Sequence, residues 1–497
     1  MLTPNPTALK IHFIASEAEP FAKAGGLGDY AGSLPLALRE LSANATNQQI
    51  DIRLTIPYHS SIEADNFSIK KICDLKIDTQ ERKSEGEAFL TTINGLPCYL
   101  ISQNSPPYMN DSVYSTDAIM DGEKYIFFSL ASLELLRKIQ WKADIVHAND
   151  WHTAVAIYYL ALTRNKNHLL KNTKTLQTIH NLPFMGEGTQ PVLKKYNLPL
   201  LEDPDLPLWA RQLPFALGLA KADEIVAVSP TYSQEIRTAA FGNGLEKFLE
   251  KRKEDISGIL NGIDIKKWNP AQDQLIERCY TSENLQARKE NKRAILSILS
   301  LSIDEDLPLL IMVSRLDRQK GIELILDGLH SLKELAWQAV LLGTGNTNLE
   351  NACFALENDM PDRVRAVMRF DKKLAHQLFS AGDILMMPSL YEPCGTSQMI
   401  AMRYGCIPVA TSVGGLKDSI TNESDGTRTG FLFEKHTTKA FLNCLRRALG
   451  LFNRKKVWQN IQKRAMEEDF SWKRSAERYL KLYLGLHKQL KQPQYKK

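Results

Sequence analysis

Short apolar runs alternate along this chain with longer segments of helical period, and turn residues punctuate both. Ile11–Ala15 and Asp51–Pro57 read as buried strands, with a helix from about Tyr30 to Leu41 between them. Ala88–Ile93 and Leu96–Ile101 flank Asn94-Gly95, a dipeptide that favours the tight turn of a hairpin. A polar loop over 111–121 leads to a helix over Lys124–Ile139, then to strands at Asp144–His147, Thr175–Ile179 and Ala222–Ser229. Between the last two, Gln190–Leu213 is rich in Pro and Leu and has no clear period.

The second half repeats the alternation. Leu309–Val313, Ala339–Leu342, Arg365–Phe370, Asp383–Met387 and Ile407–Ala410 read as strands, and Ile322, Ile325, Leu326 and Leu329 mark the first intervening helix. Such alternation predicts parallel sheets with helices on both faces. The turn chemistry of Gly258–Asp264, with Asn261-Gly262 and then Pro270, marks the boundary between the halves. A last helix starts at Ser471, a good N-cap residue, and places Trp472, Ala476, Tyr479, Tyr483 and Leu486 on one stripe expected to dock on the body of the protein.

Composition narrows the class. At 497 residues the chain exceeds one ordinary core. Its 43% apolar and 24% charged content is that of a soluble globular protein, and it has no apolar run long enough for a membrane span. Met1–Lys10 has no signal-peptide core, which points to the cytoplasm. Seven cysteines without C-x-x-C spacing read as reduced thiols. A net charge of +5, spread along the chain, does not call for nucleic acid, and a phosphorylated small molecule needs only a few placed cations. Lys488–Lys497 reads as a solvated basic tail.

The candidate chemistry gathers where strands end. Lys23–Asp29, Lys-Ala-Gly-Gly-Leu-Gly-Asp, sets a lysine and two adjacent glycines before a helix, an arrangement suited to a phosphate or sugar phosphate. An ordinary strand-to-helix turn is the plain alternative. Gly26, Gly28 and Ala31 also fit the dinucleotide pattern, but Glu17–Ala24 separates them from the strand end, which ranks a nicotinamide or flavin enzyme lower. The second half carries a similar unit in Ser314–Gly321, and Val413–Asp418 echoes Ala24–Asp29. Together these features favour two similar doubly wound domains facing each other across a cleft.

His147, Asn149, Asp150, Trp151 and His152 crowd one strand end, and His180 and Asn181 follow the next. The clustering favours a ligand crevice, since no spacing specifies a metal site. Tyr391–Thr396 offers Glu392 and helix-start amides to sugar hydroxyls. Cys394 lacks a dedicated base and reads as a packed thiol in preference to a nucleophile.

The chain resembles the bacterial and plant glycogen and starch synthases, retaining glycosyltransferases that use a nucleotide-activated glucose. The likeness runs over nearly the whole chain: 23–29, 105–108, 147–152, 178–181, 228–232, 260–264, 314–321, 391–395, 414–418 and 469–472 carry it in order. It implies an α/β fold of two Rossmann-like domains of the GT-B type. The expected divisions are 1–258 on the acceptor side, 259–470 for the nucleotide sugar, and 471–497 as a helix crossing back to the first domain plus the tail.

By the same resemblance, Arg315 and Lys320 hold the donor diphosphate, and Lys23 with Gly25 and Gly26 lies by the phosphate and the acceptor. Asp29, Tyr108, His152 and Asn181 join the substrate-binding set. His180 and Asn261 contact the glucose, Asp150 sits close to the reacting carbon, and Phe370 stacks on the adenine. Glu392, with Cys394, Gly395 and Thr396, binds the sugar hydroxyls. ADP-glucose is the implied donor and glycogen or another α-glucan the acceptor, with no cofactor, metal, nucleic acid or membrane required.

Departures from the family pattern are Ala24, Asn346 and Phe370, and a 190–216 segment that looks shortened and lacks the family's lysine before Gly218. Ile400 stands where the broader class carries a second glutamate, which favours the synthase group. A transferase with a small or lipid acceptor, and a silent glucan-binding protein, are the competing readings. Neither oligomeric state nor the choice between front-face and two-step retention is legible in the residues.

Overall fold

The computed structural model describes residues 8–44, 49–104, 112–423 and 426–491. Two units emerge from the chain's own contacts: Met1–Gly262 with Trp472–Lys497, and Ile263–Ser471.

Among the described residues the first unit has one sheet built from β1 (Leu9–Ile14), β2 (Ile50–Pro57), β3 (Lys70–Asp78), β4 (Lys83–Ile93), β5 (Leu96–Gln103), β6 (Ile145–Asn149), β7 (Lys174–Ile179), β8 (Glu224–Ala227) and β9 (Ile256–Gly258), in spatial order β3-β4-β5-β2-β1-β6-β7-β8-β9. From β5 to β9 neighbouring strands are parallel, whereas β3, β4 and β5 form an antiparallel ribbon at one edge. Ile93 pairs with Leu96 across Asn94 and Gly95, both at positive φ (48° and 77°), as a tight hairpin turn requires. The hairpin is therefore part of the main sheet, with β5 pairing in parallel with β2. β3 escapes an apolar-run search because its solvent face carries Lys and Asp.

Two helices start earlier than their sequence pattern indicates. Gly26–Asn44 absorbs the second glycine of the loop, since a helix leaves its first amides free of internal partners and a missing side chain costs little there. Ala118–Lys138 begins inside the expected polar loop because the Asp117 carboxylate caps the amides of Ile119 and Met120 at 2.8 and 3.1 Å. The last helix, Trp472–Lys491, packs on Gly26–Asn44 with its predicted stripe buried. Its Tyr479 hydroxyl accepts from Tyr30 (2.9 Å), and Tyr483 bonds His147 Nδ1 (2.6 Å), so this helix belongs to the core of the first unit.

The second unit holds β10 (Leu309–Val313), β11 (Gln338–Leu342), β12 (Val364–Val367), β13 (Ile384–Met387), β14 (Ile407–Thr411) and β15 (Phe431–Phe433), all parallel, in order β12-β11-β10-β13-β14-β15. In chain order that is 3-2-1-4-5-6, the doubly wound Rossmann arrangement. The stretch β5-β2-β1-β6-β7-β8 of the first unit follows the same rule. β12 stops at Val367, short of the expected Phe370, whose side chain lies beyond the strand and is 86% exposed.

Candidate active site

In a doubly wound sheet the strand order reverses between the first and fourth strands, and the loops leaving those two strands open a crevice between them. In the first unit these loops follow β1 and β6; in the second they follow β10 and β13. The predicted site residues concentrate on these loops and on the neighbouring ends of β7 and β9.

After β1 the chain runs through Glu17, a buried carboxylate. It accepts the amides of Ala24 and of Gly25 (3.1 Å), together with the Tyr114 hydroxyl (3.1 Å), which also bonds Ser16 Oγ at 3.0 Å. The Gly25 amide, expected beside the phosphate, is thus engaged by the Glu17 carboxylate. Gly26 does remain open, since an added Cβ there would meet nothing within 4 Å. Lys23 reaches Asp29 at 2.6 Å and Glu19 at 3.6 Å. Burial raises the Asp29 carboxyl pKa above its usual range, a hydrogen bond with Glu19 adds to the rise, and Lys23 opposes it.

After β6, Asp150 adopts φ 53°, a left-handed backbone that costs a side-chain-bearing residue free energy. Its Oδ1 accepts the amides of His180 (2.7 Å) and Asn181 (3.3 Å). Burial raises its pKa to about 7 despite these bonds. Asp150 thus braces the chain after β7. The His180 ring lies edge-on to Tyr30, 4.5 Å between centroids, and burial lowers its pKa to about 3, so it is neutral at physiological pH. Asn181 and Asn261 each hold a buried side-chain oxygen without a hydrogen-bond donor among the described residues. Such acceptors suit sugar hydroxyls.

The other two histidines are buried. His147 is fully buried, with Thr178 Oγ1 at 2.7 Å and the Tyr483 hydroxyl at 2.6 Å, so both ring nitrogens are occupied by the core. His152, expected at the substrate, is stacked on Trp151 (4.2 Å) and packed against Tyr114 and Tyr125. Its Nδ1 is buried without a hydrogen-bond partner among the described residues, as are the side-chain oxygens of Asn181 and Asn261. Tyr108 and the 105–108 motif lie outside the described residues.

In the second unit, Asp317 caps the turn after β10 by accepting the Lys320 amide (3.2 Å), and Gly321 follows at φ 65°. A Cβ on Gly321 would stand 2.0 Å from the Pro388 carbonyl, so only glycine lets the two loops touch. Lys320 Nζ then meets both oxygens of Glu392, at 3.0 and 2.7 Å, and Ser389 Oγ donates to the same carboxylate at 3.0 Å. Glu392 was expected to hold sugar hydroxyls; here its carboxylate is bound to Lys320, because two charges at neighbouring loop ends pair when both leave water. Arg315 remains 70% exposed, with Asp317 at 3.4 Å. Cys394 is buried, Gly395 turns at φ 69°, and Thr396 precedes the helix Ser397–Arg403, whose Gln398 ties back to the carbonyls of Cys394 and Gly395.

Sequence reasoning missed Glu17, Tyr114 and Ser389. Glu17 had a usable signal, a carboxylate two residues past an apolar strand end and just upstream of a glycine loop. Tyr114 and Ser389 had none, since only folding brings them to their carboxylates.

Residues 10–251 match the family model described as starch synthase catalytic domain, and residues 298–464 match glycosyl transferases group 1. A glycogen synthase of Bacillus cereus (strain B4264) is 35% identical over 96% of this chain and 100% of its own length. One from Clostridium perfringens (strain 13 / Type A) is 36% identical, covering 97% and 99%. The catalytic domain of starch synthase IV from Arabidopsis thaliana, solved bound to ADP and acarbose, matches with a TM-score of 0.87 at 30% identity, over 97% of this chain and 99% of that one. A sucrose-phosphate synthase from Thermosynechococcus elongatus shares the fold, with a TM-score of 0.60 at 19% identity. Two doubly wound units with charged loops at their switch points are the framework of a glycosyltransferase. Within that class, the chain belongs to the glycogen and starch synthase family.

Proposed function

We propose that this protein transfers glucose from ADP-glucose to the non-reducing end of an α-1,4-glucan with retention of configuration, as a glycogen synthase. The observation that carries the reading is likeness over the full length of glycogen synthases, with Lys23, Arg315, Lys320 and Glu392 all present at the strand ends. Arg315 and Lys320 hold the diphosphate and stabilise the charge that builds on the departing nucleotide, and preorganised cations are often the largest catalytic contribution. Lys320 arrives at that position oriented by Glu392 and by the cap from Asp317. His180, Asn181 and Asn261 address the hydroxyls of the glucose, and the exposed Phe370 ring offers a face to the adenine.

The two cations supply charge neutralisation that other transferases obtain from a divalent ion, so transfer is expected without added metal. The seven cysteines are free, as in a reducing compartment, which supports a cytoplasmic setting. Among the described residues no helix is long and apolar enough to cross a membrane.

The test is transfer of labelled glucose from ADP-glucose and, in parallel, UDP-glucose into glycogen with excess EDTA. Incorporation from ADP-glucose is the expected result. Failure with both donors in a folded sample, with and without metal, overturns the reading and turns attention to a different acceptor.

A further inference from the structure

Asn149 ends β6, the strand between β1 and β7, and it is fully buried. Its side-chain amide spans both neighbours. Nδ2 donates to the carbonyl of Ile14, the last residue of β1, at 2.9 Å, and Oδ1 lies 3.0 Å from Nε2 of His180, just past β7. The orientation of this amide follows from chemistry. A backbone carbonyl only accepts, so the Asn149 atom facing Ile14 is the nitrogen, and the atom facing His180 is the oxygen. An amide oxygen also only accepts, so His180 Nε2 carries a hydrogen. The ring is neutral because it is buried, so with its one hydrogen on Nε2 the Nδ1 atom is a bare lone pair.

We propose that Asn149 is a positioning residue that holds His180 as the Nε2–H tautomer, so that its Nδ1 presents only an acceptor to a ligand. The inference rests on the glucosyl-transfer reading, in which His180 addresses the donor sugar. An acceptor nitrogen recruits a hydroxyl and repels phosphate oxygens, so His180 serves the sugar end of the donor and not its diphosphate. The His180 backbone is clamped separately by Asp150, so residues 149 and 150 set the ring and the chain of one histidine. The titratable groups around the ring are Asp150 on its amide, His147, His152 and Tyr30.

Nitrogen-15 NMR of the histidine rings in the full-length protein reads the tautomer directly, without a substitution and without turnover. The expected result is a protonated Nε2 and an unprotonated Nδ1 at His180; the reverse assignment overturns the proposal. Asn149→Asp places a carboxylate against Nε2–H, and the pH at which His180 titrates is expected to move up by more than one unit; an unchanged titration overturns it. Asn149→Leu removes the acceptor, and kcat is expected to fall about tenfold to a hundredfold with KM little changed, as for a misoriented group. Equal loss in KM and kcat, or none, counts against the assignment. Absence of transfer in the unsubstituted protein with the Nε2–H tautomer intact would fault the proposed reaction and leave the tautomer standing.

Discussion

Ala24–Asp29 and Val413–Asp418 share a Gly-Gly-Leu-x-Asp core, and each lies on the loop that opens a helix, yet their glycines exist for different reasons. In the second unit both are steric necessities. A Cβ on Gly414 would lie 2.0 Å from the Glu392 carbonyl and one on Gly415 2.0 Å from that of Cys394, while the Gly415 amide donates to Glu392 at 3.0 Å. That pair supports the backbone of the loop that carries Glu392. In the first unit Gly25 gives its amide to Glu17 and Gly26 faces open space, while Gly28 makes room for the stem of Lys23, 2.9 Å from its missing Cβ. One motif is a packing device and the other keeps a surface clear beside a cation.

The cations sharpen this contrast most. Lys320 and Glu392 have side chains only 16% and 7% exposed, so Lys320→Ala leaves a buried carboxylate unpaired. A loss of about 3–5 kcal/mol is expected in denaturant unfolding, with turnover lower by about 10²–10³-fold. Lys23, with its side chain 38% exposed, shares its charge between two carboxylates, and Lys23→Ala is expected to cost about 0–1 kcal/mol. Equal stability losses in the two variants would erase the distinction.

Next is the glycine that touches backbone. Gly415→Ala is expected to destabilise by about 1–3 kcal/mol or more, since the Cys394 carbonyl it would meet is not free to move aside. Thermal unfolding of that variant at the unsubstituted temperature would contradict the packing role.

Asp150 tests the first unit by pH. Its folded pKa, about 7, lies above the unfolded value of 3.8, so its contribution to stability is fully present below about pH 4 and is lost as pH rises through about 7. Asp150→Asn keeps an acceptor for the two amides and removes the titration. Its stability relative to the unsubstituted protein is therefore expected to improve between pH 5 and pH 8 in urea melts. A constant difference across that range would show that Asp150 does not titrate there.

The smallest effect on stability belongs to Gly26→Ala, within about 0.5 kcal/mol, because nothing stands where the methyl would go. If that space receives a ligand, KM rises in the stable variant; unchanged kinetics would make the open face incidental.

The sequence alone determined the alternation of strand and helix, the Asn94-Gly95 hairpin and the buried stripe of the last helix, because each is local: a periodicity, a turn dipeptide or a cap. It also pointed to the loops at strand ends as the candidate site, since ligand crevices of parallel sheets open there. Partnerships waited for the tertiary structure. That Glu17 engages the glycine-loop amides, that Lys320 docks on Glu392, that His147 is tied to Tyr483 while His180 bonds Asn149, all join residues far apart in the chain or brought together by a turn. Strand order decides which side chains leave water together, and once buried, a polar group takes whatever partner the fold has brought within reach.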